Sequence, residues 1–222
     1  IFEEFRDSSK HITFWETSNL TSLNNAFIYL NLLDELLLWN VSNVENMSRA
    51  FYNCLYFNKP LNHWKVDNVK DMSSMFQKCV NFNQPLDRWN TKNVILMDNL
   101  FDNCIKFNQN ISAWNISNVK TLQSVFNRCV NYNKPLDWDM SNVENIFGLF
   151  SRCDNFNQPL NSWNTSNIRN MYRLFFKCKR FNQPLHKWNV ANVTDIDQMF
   201  YKCEEFNQDL NKWNLQKCEI TK

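Results

Sequence analysis

Trp163-Asn164-Thr165-Ser166-Asn167-Ile168-Arg169-Asn170-Met171-Tyr172-Arg173-Leu174-Phe175-Phe176-Lys177-Cys178-Lys179-Arg180-Phe181-Asn182-Gln183-Pro184-Leu185 is one copy of a pattern that fills the chain. Tryptophan recurs at Trp15, Trp39, Trp64, Trp89, Trp114, Trp138, Trp163, Trp188 and Trp213, in steps of 24 or 25 residues that account for all nine. With each Trp at offset 0, phenylalanine holds offset 12 from Phe27 to Phe200 and cysteine holds offset 15 from Cys54 to Cys203. An aromatic followed by asparagine holds offsets 18 and 19 from Phe57-Asn58 to Phe206-Asn207, with Tyr132 the single tyrosine. A unit this small cannot bury its own apolar face, so such a period means that neighbours stack and complete one core.

Within a unit the apolar spacing changes. Trp39 and Val41 alternate with polar residues, the period of a strand. From Val44 the spacing becomes 3, 4 and 3 through Met47, Phe51 and Cys54, which predicts one face of a short helix. Ser42 and Asn43 stand where a helix N-cap needs oxygen acceptors, and Pro60 blocks further helix. The expected fold is therefore α/β: a leucine-rich-repeat-like solenoid of about eight 25-residue strand-helix repeats with one parallel sheet. Ladders of Trp, Val, Phe and Cys follow from that register, with offset-19 asparagines satisfying loop backbone groups.

The array is expected to span residues 15–212. Residues 1–14 read as a degenerate partial repeat or N-terminal cap, because Ile1, Phe2, Phe5 and Ile12 fall at offsets 11, 12, 15 and 22. Residues 213–222 read as the start of a further repeat or a C-terminal lid. Neither end carries a clear polar cap, so the array is expected to continue or to be covered by another subunit.

Composition narrows the function classes. At 44% hydrophobic and 21% charged residues the chain can fold, and a formal net charge of +2 gives little support to bulk electrostatic binding of nucleic acid. No apolar run reaches the length of about 18 residues that a membrane-spanning helix needs, and no signal-peptide pattern opens the chain. Gly148 is the only glycine among 38 asparagines, so asparagine is expected at the left-handed turn positions.

The motifs W-N-x-S-N-V-x-x-M and F-N-Q-P-L, clear in Trp163 to Leu185, resemble the 25- or 26-residue repeat of bacterial surface proteins of the mycoplasma and Listeria type. That family is related to BspA-like leucine-rich repeats and has similar arrays in protists and giant viruses. The resemblance covers about residues 15–217 and implies a leucine-rich-repeat-like fold with a surface, adhesion or assembly role and no catalytic residues. Asn110 and Asp209 replace Pro, Leu30 and Leu33 mark the first full unit, and Lys217 replaces the usual Asn.

No chemistry-bearing constellation emerges. The seven offset-15 cysteines are expected to be reduced, because helices about 8–10 Å apart hold equivalent residues beyond disulfide reach, and Cys218, at offset 5 where Val is usual, is expected in the core. There is no C-x-x-C pair for a metal. His11, His63 and His186 share no offset, and a single glycine permits no phosphate loop. Neither enzyme activity nor a cofactor is expected. The Trp column is read as core in preference to a stacking platform.

Candidate partner-binding residues come from the outward positions. Arg169, Arg173, Lys177 and Arg180, spaced 4, 4 and 3, predict one outward helical ridge that suits an acidic partner. Pairing with Glu144, Glu204 and Glu205 in neighbouring units is the competing role for this basic unit. Asn115 and Asn164, in the polar stripe at offset 1, are the residues on which a glycan-binding adhesin would rely. The residue before each Trp varies widely: Leu38, His63, Arg88, Ala113, Asp137, Ser162, Lys187 and Lys212. The function expected is a non-catalytic scaffold for protein partners or assembly subunits, on a cell surface or within a virion, with no nucleic acid and no membrane insertion.

Overall fold

The computed structural model of the protein describes residues 16–30 and 38–218; Trp15, Leu33 and the N-terminal partial repeat with His11 lie outside the described residues, as does the end of the C-terminal tail. The expected strand-helix solenoid is overturned. Among the described residues there is no α-helix and no strand longer than one bridge residue.

The segment with helical spacing is a train of β-turns. In the unit of Trp39, the N–H groups of Ala50, Tyr52, Cys54 and Phe57 donate three residues back, to the carbonyls of Met47, Arg49, Phe51 and Cys54. The alternate N–H groups leave the unit altogether. Met47, Arg49, Phe51 and Asn53 donate to Asp71, Ser73, Met75 and Gln77 of the next unit at 2.8, 2.9, 2.9 and 2.8 Å. A helix keeps these bonds within the segment. Here half of them tie one unit to its neighbour.

Alternation of this kind requires left-handed residues. Arg49 (φ +55°) and Asn53 (φ +59°) are the third residues of the turns 47–50 and 51–54, where a type II turn demands φ > 0. Offsets 10 and 14 repeat this through the array, and the sole glycine, Gly148 (φ +57°), falls on offset 10. The expectation that asparagine fills such positions holds only for Asn25, Asn53, Asn99 and Asn103. Arginine, lysine, serine, glutamine and tyrosine take the others.

The expected parallel sheet shrinks to a column one residue wide. Offset 7 forms isolated parallel bridges, Ser22 to Asn46 to Asp71 to Leu96 and again Thr121 to Asn145 to Asn170 to Asp195. The in-out alternation at Trp39, Asn40 and Val41 is real, but the chain turns at once, with the Val44 N–H donating to the Val41 carbonyl at 3.0 Å. The Ser-Asn pair is likewise no N-cap. Asn68 Nδ2 donates to the Ser42 carbonyl at 2.8 Å, and Asn93, Asn118, Asn142, Asn167 and Asn192 repeat this strut to the preceding unit. Lys217 keeps the strut's place, donating from Nζ to Asn192 Oδ1.

Aromatic columns fill the interior. Offset-12 rings from Phe51 to Phe200 follow one another at centroid distances of 5.5–5.9 Å, and each also stacks on the offset-18 ring of its own unit at 3.9–4.3 Å. Units thus lie closer than the helix spacing of about 8–10 Å on which the disulfide argument rested. The cysteines are nevertheless free, and each offset-15 thiol donates to the offset-12 carbonyl of the preceding unit, as from Cys104 to Phe76 at 2.9 Å. The tryptophans from Trp39 to Trp188 are buried, and the Nε1–H groups of Trp89, Trp114, Trp138, Trp163 and Trp188 donate to backbone carbonyls of the preceding unit, as from Trp114 to Leu86 at 3.0 Å.

The offset-19 asparagines form the expected ladder. Asn83, Asn108 and Asn133 donate backbone N–H to Oδ1 of Asn58, Asn83 and Asn108, and the series runs on to Asn207. Asn108→Ala leaves the half-buried Asn133 N–H without its acceptor and is expected to cost about 1–3 kcal/mol. Urea unfolding of the variant against the parent chain measures this, and an unchanged midpoint would show that water replaces the ladder at no cost.

Candidate functional site

The turn train carries the site, because its left-handed positions aim side chains outward in register. Offset 14 presents Lys78, Arg128, Arg152, Lys177 and Lys202, interrupted by Asn103. Their backbones lie at φ between +56° and +65°. Offset 16, one turn on, gives the facing wall, which begins with Ile105 and Val130 and ends with Asp154, Lys179 and Glu204. Between the walls, from Asn103 and Ile105 to Lys202 and Glu204, runs a groove of about 670 Å³. A smaller hollow of about 230 Å³, lined by Arg128, Gly148, Arg152, Arg173 and Phe176, adjoins it.

Offset-13 rings underlie several of these cations. Lys78 Nζ lies 5.3 Å from the Tyr52 ring centre, Lys177 Nζ 5.2 Å from Phe176 and Lys202 Nζ 5.5 Å from Tyr201. The Arg152 guanidinium lies 5.7 Å from Phe176. Such contacts order a cation without neutralising it. Asp102, which feels the charges of Arg128 and Lys78, is half-buried and held by Gln77 and Asn127. Burial raises its carboxyl above the usual range, against those hydrogen bonds and the positive field of Arg128 and Lys78.

The four basic candidates do not form a ridge, since the helix that would align them is absent. Arg173 and Lys177 reach the hollow and the groove. Arg173 sits over Tyr172 and Phe176 and donates from Nε to Gln198 Oε1 at 2.9 Å. Arg169 is exposed near Glu144, Nε to Oε2 3.9 Å, and Arg180 is exposed beyond the turn. Lys179 pairs backward with Asp154 at 2.6 Å, which raises its ammonium pKa, and Glu204 in the next unit adds only a weaker field.

Asn115 and Asn164 lie on another face, exposed at offset 1. Each Oδ1 accepts a backbone N–H two residues on, from Ser117 at 2.9 Å and Ser166 at 3.2 Å, so these amides shape their own turns. Among the described residues the sheet face on which a glycan would spread is not present. His63 and His186 are exposed, and the residue before each Trp is exposed from Leu38 to Lys212. Among the described residues no group of three or more His, Cys, Asp or Glu could hold a metal ion.

The offset-14 column escaped the sequence reading because a helical projection scatters it from the groove wall. A readable signal existed: Lys or Arg recurs there in five of the six units from Lys78 to Lys202.

Stacked turn trains, tied unit to unit by backbone bonds and aromatic columns, define a repeat protein with a wholly inward-facing core and a register-built surface. The chain belongs to the family described as Mycoplasma protein of unknown function, DUF285, which matches residues 1–95, 84–137 and 136–222. Comparisons with curated proteins and with solved structures give no match.

Proposed function

We propose that this protein is a non-catalytic repeat scaffold that displays binding positions to protein partners or to further subunits of an assembly at a cell surface. The observation that carries the reading is a contrast between inside and outside. Inward columns repeat the same Trp, Phe and Cys in unit after unit, whereas the exposed residue before each Trp changes chemistry from one unit to the next. A fixed frame with varied exposed positions is the arrangement through which repeat proteins recognise partners. The surface location draws its support from the likeness of W-N-x-S-N-V-x-x-M and F-N-Q-P-L to bacterial surface-protein repeats.

A photo-crosslinking residue placed at Ala113 or Ser162, both exposed, tests the reading in the cells that make the protein. The expected result is a discrete protein adduct that alanine substitutions at Arg88 and Asp137 abolish. Absence of a discrete adduct from either position would contradict the scaffold role.

A further inference from the structure

From the groove's chemistry we infer that it binds an extended peptide whose side chains alternate between acidic and apolar. The inference rests on the scaffold reading and gives it a surface and a class of partner.

Charge is the first argument. Pairing across units is this chain's habit: Lys70 meets Glu45 at 2.8 Å, Lys120 meets Glu144 at 3.0 Å and Lys179 meets Asp154 at 2.6 Å. The offset-14 column stands outside it. Among the described residues none of Lys78, Arg128, Arg152, Lys177 and Lys202 has a carboxylate oxygen within 4.0 Å. Equivalent cations in successive units repel one another, and an anionic ligand removes that repulsion. The column also occupies left-handed backbone, where glycine carries no steric penalty and a side chain does. The sequence places cations there in spite of that cost.

The facing wall supplies the second argument. Ile105 is 39% exposed, and Val130 follows it in the groove. Leu55 and Val80 hold the same offset in earlier units. A ligand lying between the walls meets cations along one side and, at the Ile105–Val130 end, aliphatic groups along the other; farther on, the second wall carries Asp154, already paired with Lys179, and Glu204.

Dimensions select an extended chain. The core rings advance 5.5–5.9 Å per unit. An extended peptide advances about 3.1 Å per residue in polyproline II and about 3.3–3.4 Å in a strand, so about five or six residues span the successive cations from Arg128 to Lys202. A single-stranded nucleic acid would instead require open aromatic faces for its bases. The faces of Tyr52, Phe176 and Tyr201 lie under Lys78, Lys177 and Lys202.

Fluorescence anisotropy on the full chain decides the matter. The probes are a labelled peptide of about six Glu-Val pairs, the same peptide with Lys for Glu, and a labelled oligothymidylate of about twelve nucleotides. The acidic peptide is expected to bind with an affinity that falls as salt rises, and the Lys peptide is expected not to bind. Arg128→Gly with Arg152→Gly and Lys177→Gly is expected to weaken binding at least about tenfold while the unfolding midpoint holds or rises, because glycine suits these φ values. No binding of the acidic peptide, equal binding by the triple variant, or tighter binding of the oligonucleotide would each overturn the inference. If crosslinks from Ala113 and Ser162 persist through such a result, the scaffold role stands and only the groove's assignment falls.

Discussion

Raising the pH above 9 is expected to unfold this protein steeply. Burial pushes the Cys54 thiol up to about 12 from an ordinary value of 9.0, and the thiols of Cys79, Cys104, Cys129, Cys153 and Cys178 rise well beyond 9.0 for the same first cause. Neighbouring thiols add to the rise for Cys79, Cys104, Cys153 and Cys178, since an ionised column would stack like charges. Tyr132, whose hydroxyl is buried without a hydrogen-bond partner, is raised alongside them.

The direction follows from which state holds the protons. Above pH 9 the unfolded chain releases thiol protons that the folded chain retains, so the stabilisation is complete below 9 and is lost as pH climbs toward the folded values. Each buried thiol then contributes a loss of about 1.4 kcal/mol per pH unit. Six acting together exceed ordinary domain stability within one or two units. Urea midpoints measured from pH 7 to 11 should be flat to about 9 and then collapse. Cys104→Ala with Cys129→Ala should shallow the collapse, although it lowers the midpoint at neutral pH by opening small voids. A midpoint constant to pH 11 would contradict the burial of the column.

The thiol column was legible in the sequence because it depends only on register. Equal spacing placed Trp39 over Trp64 and Cys79 beside Cys104 whatever path the backbone took between them. The asparagine ladder at Asn83, Asn108 and Asn133 was legible for the same reason. What register does not contain is the destination of each N–H group. Val44, Met47, Phe51 and Cys54 face inward at 3-4-3 spacing in a helix and equally in consecutive four-residue turns. The two differ in whether the Met47 and Phe51 N–H groups bond within the unit or reach Asp71 and Met75.

One residue did carry that information. Gly148 sits at offset 10, in the middle of the segment read as helical, where glycine costs about 1 kcal/mol relative to alanine. The same position is favourable if the backbone there is left-handed. The polar face was misread as a consequence: Arg173 and Lys177 belong with Arg152 and Arg128, one and two units away, more than with Arg169 and Arg180 in their own unit. A helical ridge groups residues along the chain, and a stack of turns groups them across it.

The path of the backbone through offsets 8 to 14 is therefore the claim on which fold, groove and partner class all depend, and a reciprocal glycine exchange at offset 10 tests it most directly. Gly148→Ala places a Cβ on a residue at φ +57°, 3.3 Å from Ser124 Oγ, and is expected to destabilise the protein by about 1–2 kcal/mol. Ser74→Gly removes the Cβ from a residue at φ +56° whose N–H donates to Asp98 and whose carbonyl accepts from Gln77, leaving both bonds intact. It is expected to be neutral or to stabilise by up to about 1 kcal/mol once the looser unfolded chain is counted. A helix over the same residues requires both signs to reverse, with Gly148→Ala stabilising by about 1 kcal/mol and Ser74→Gly destabilising. Unfolding free energies of the two variants measured side by side against the parent chain decide between the two: a loss at Gly148→Ala with no loss at Ser74→Gly is the result predicted here, and a gain at the first with a loss at the second would contradict it.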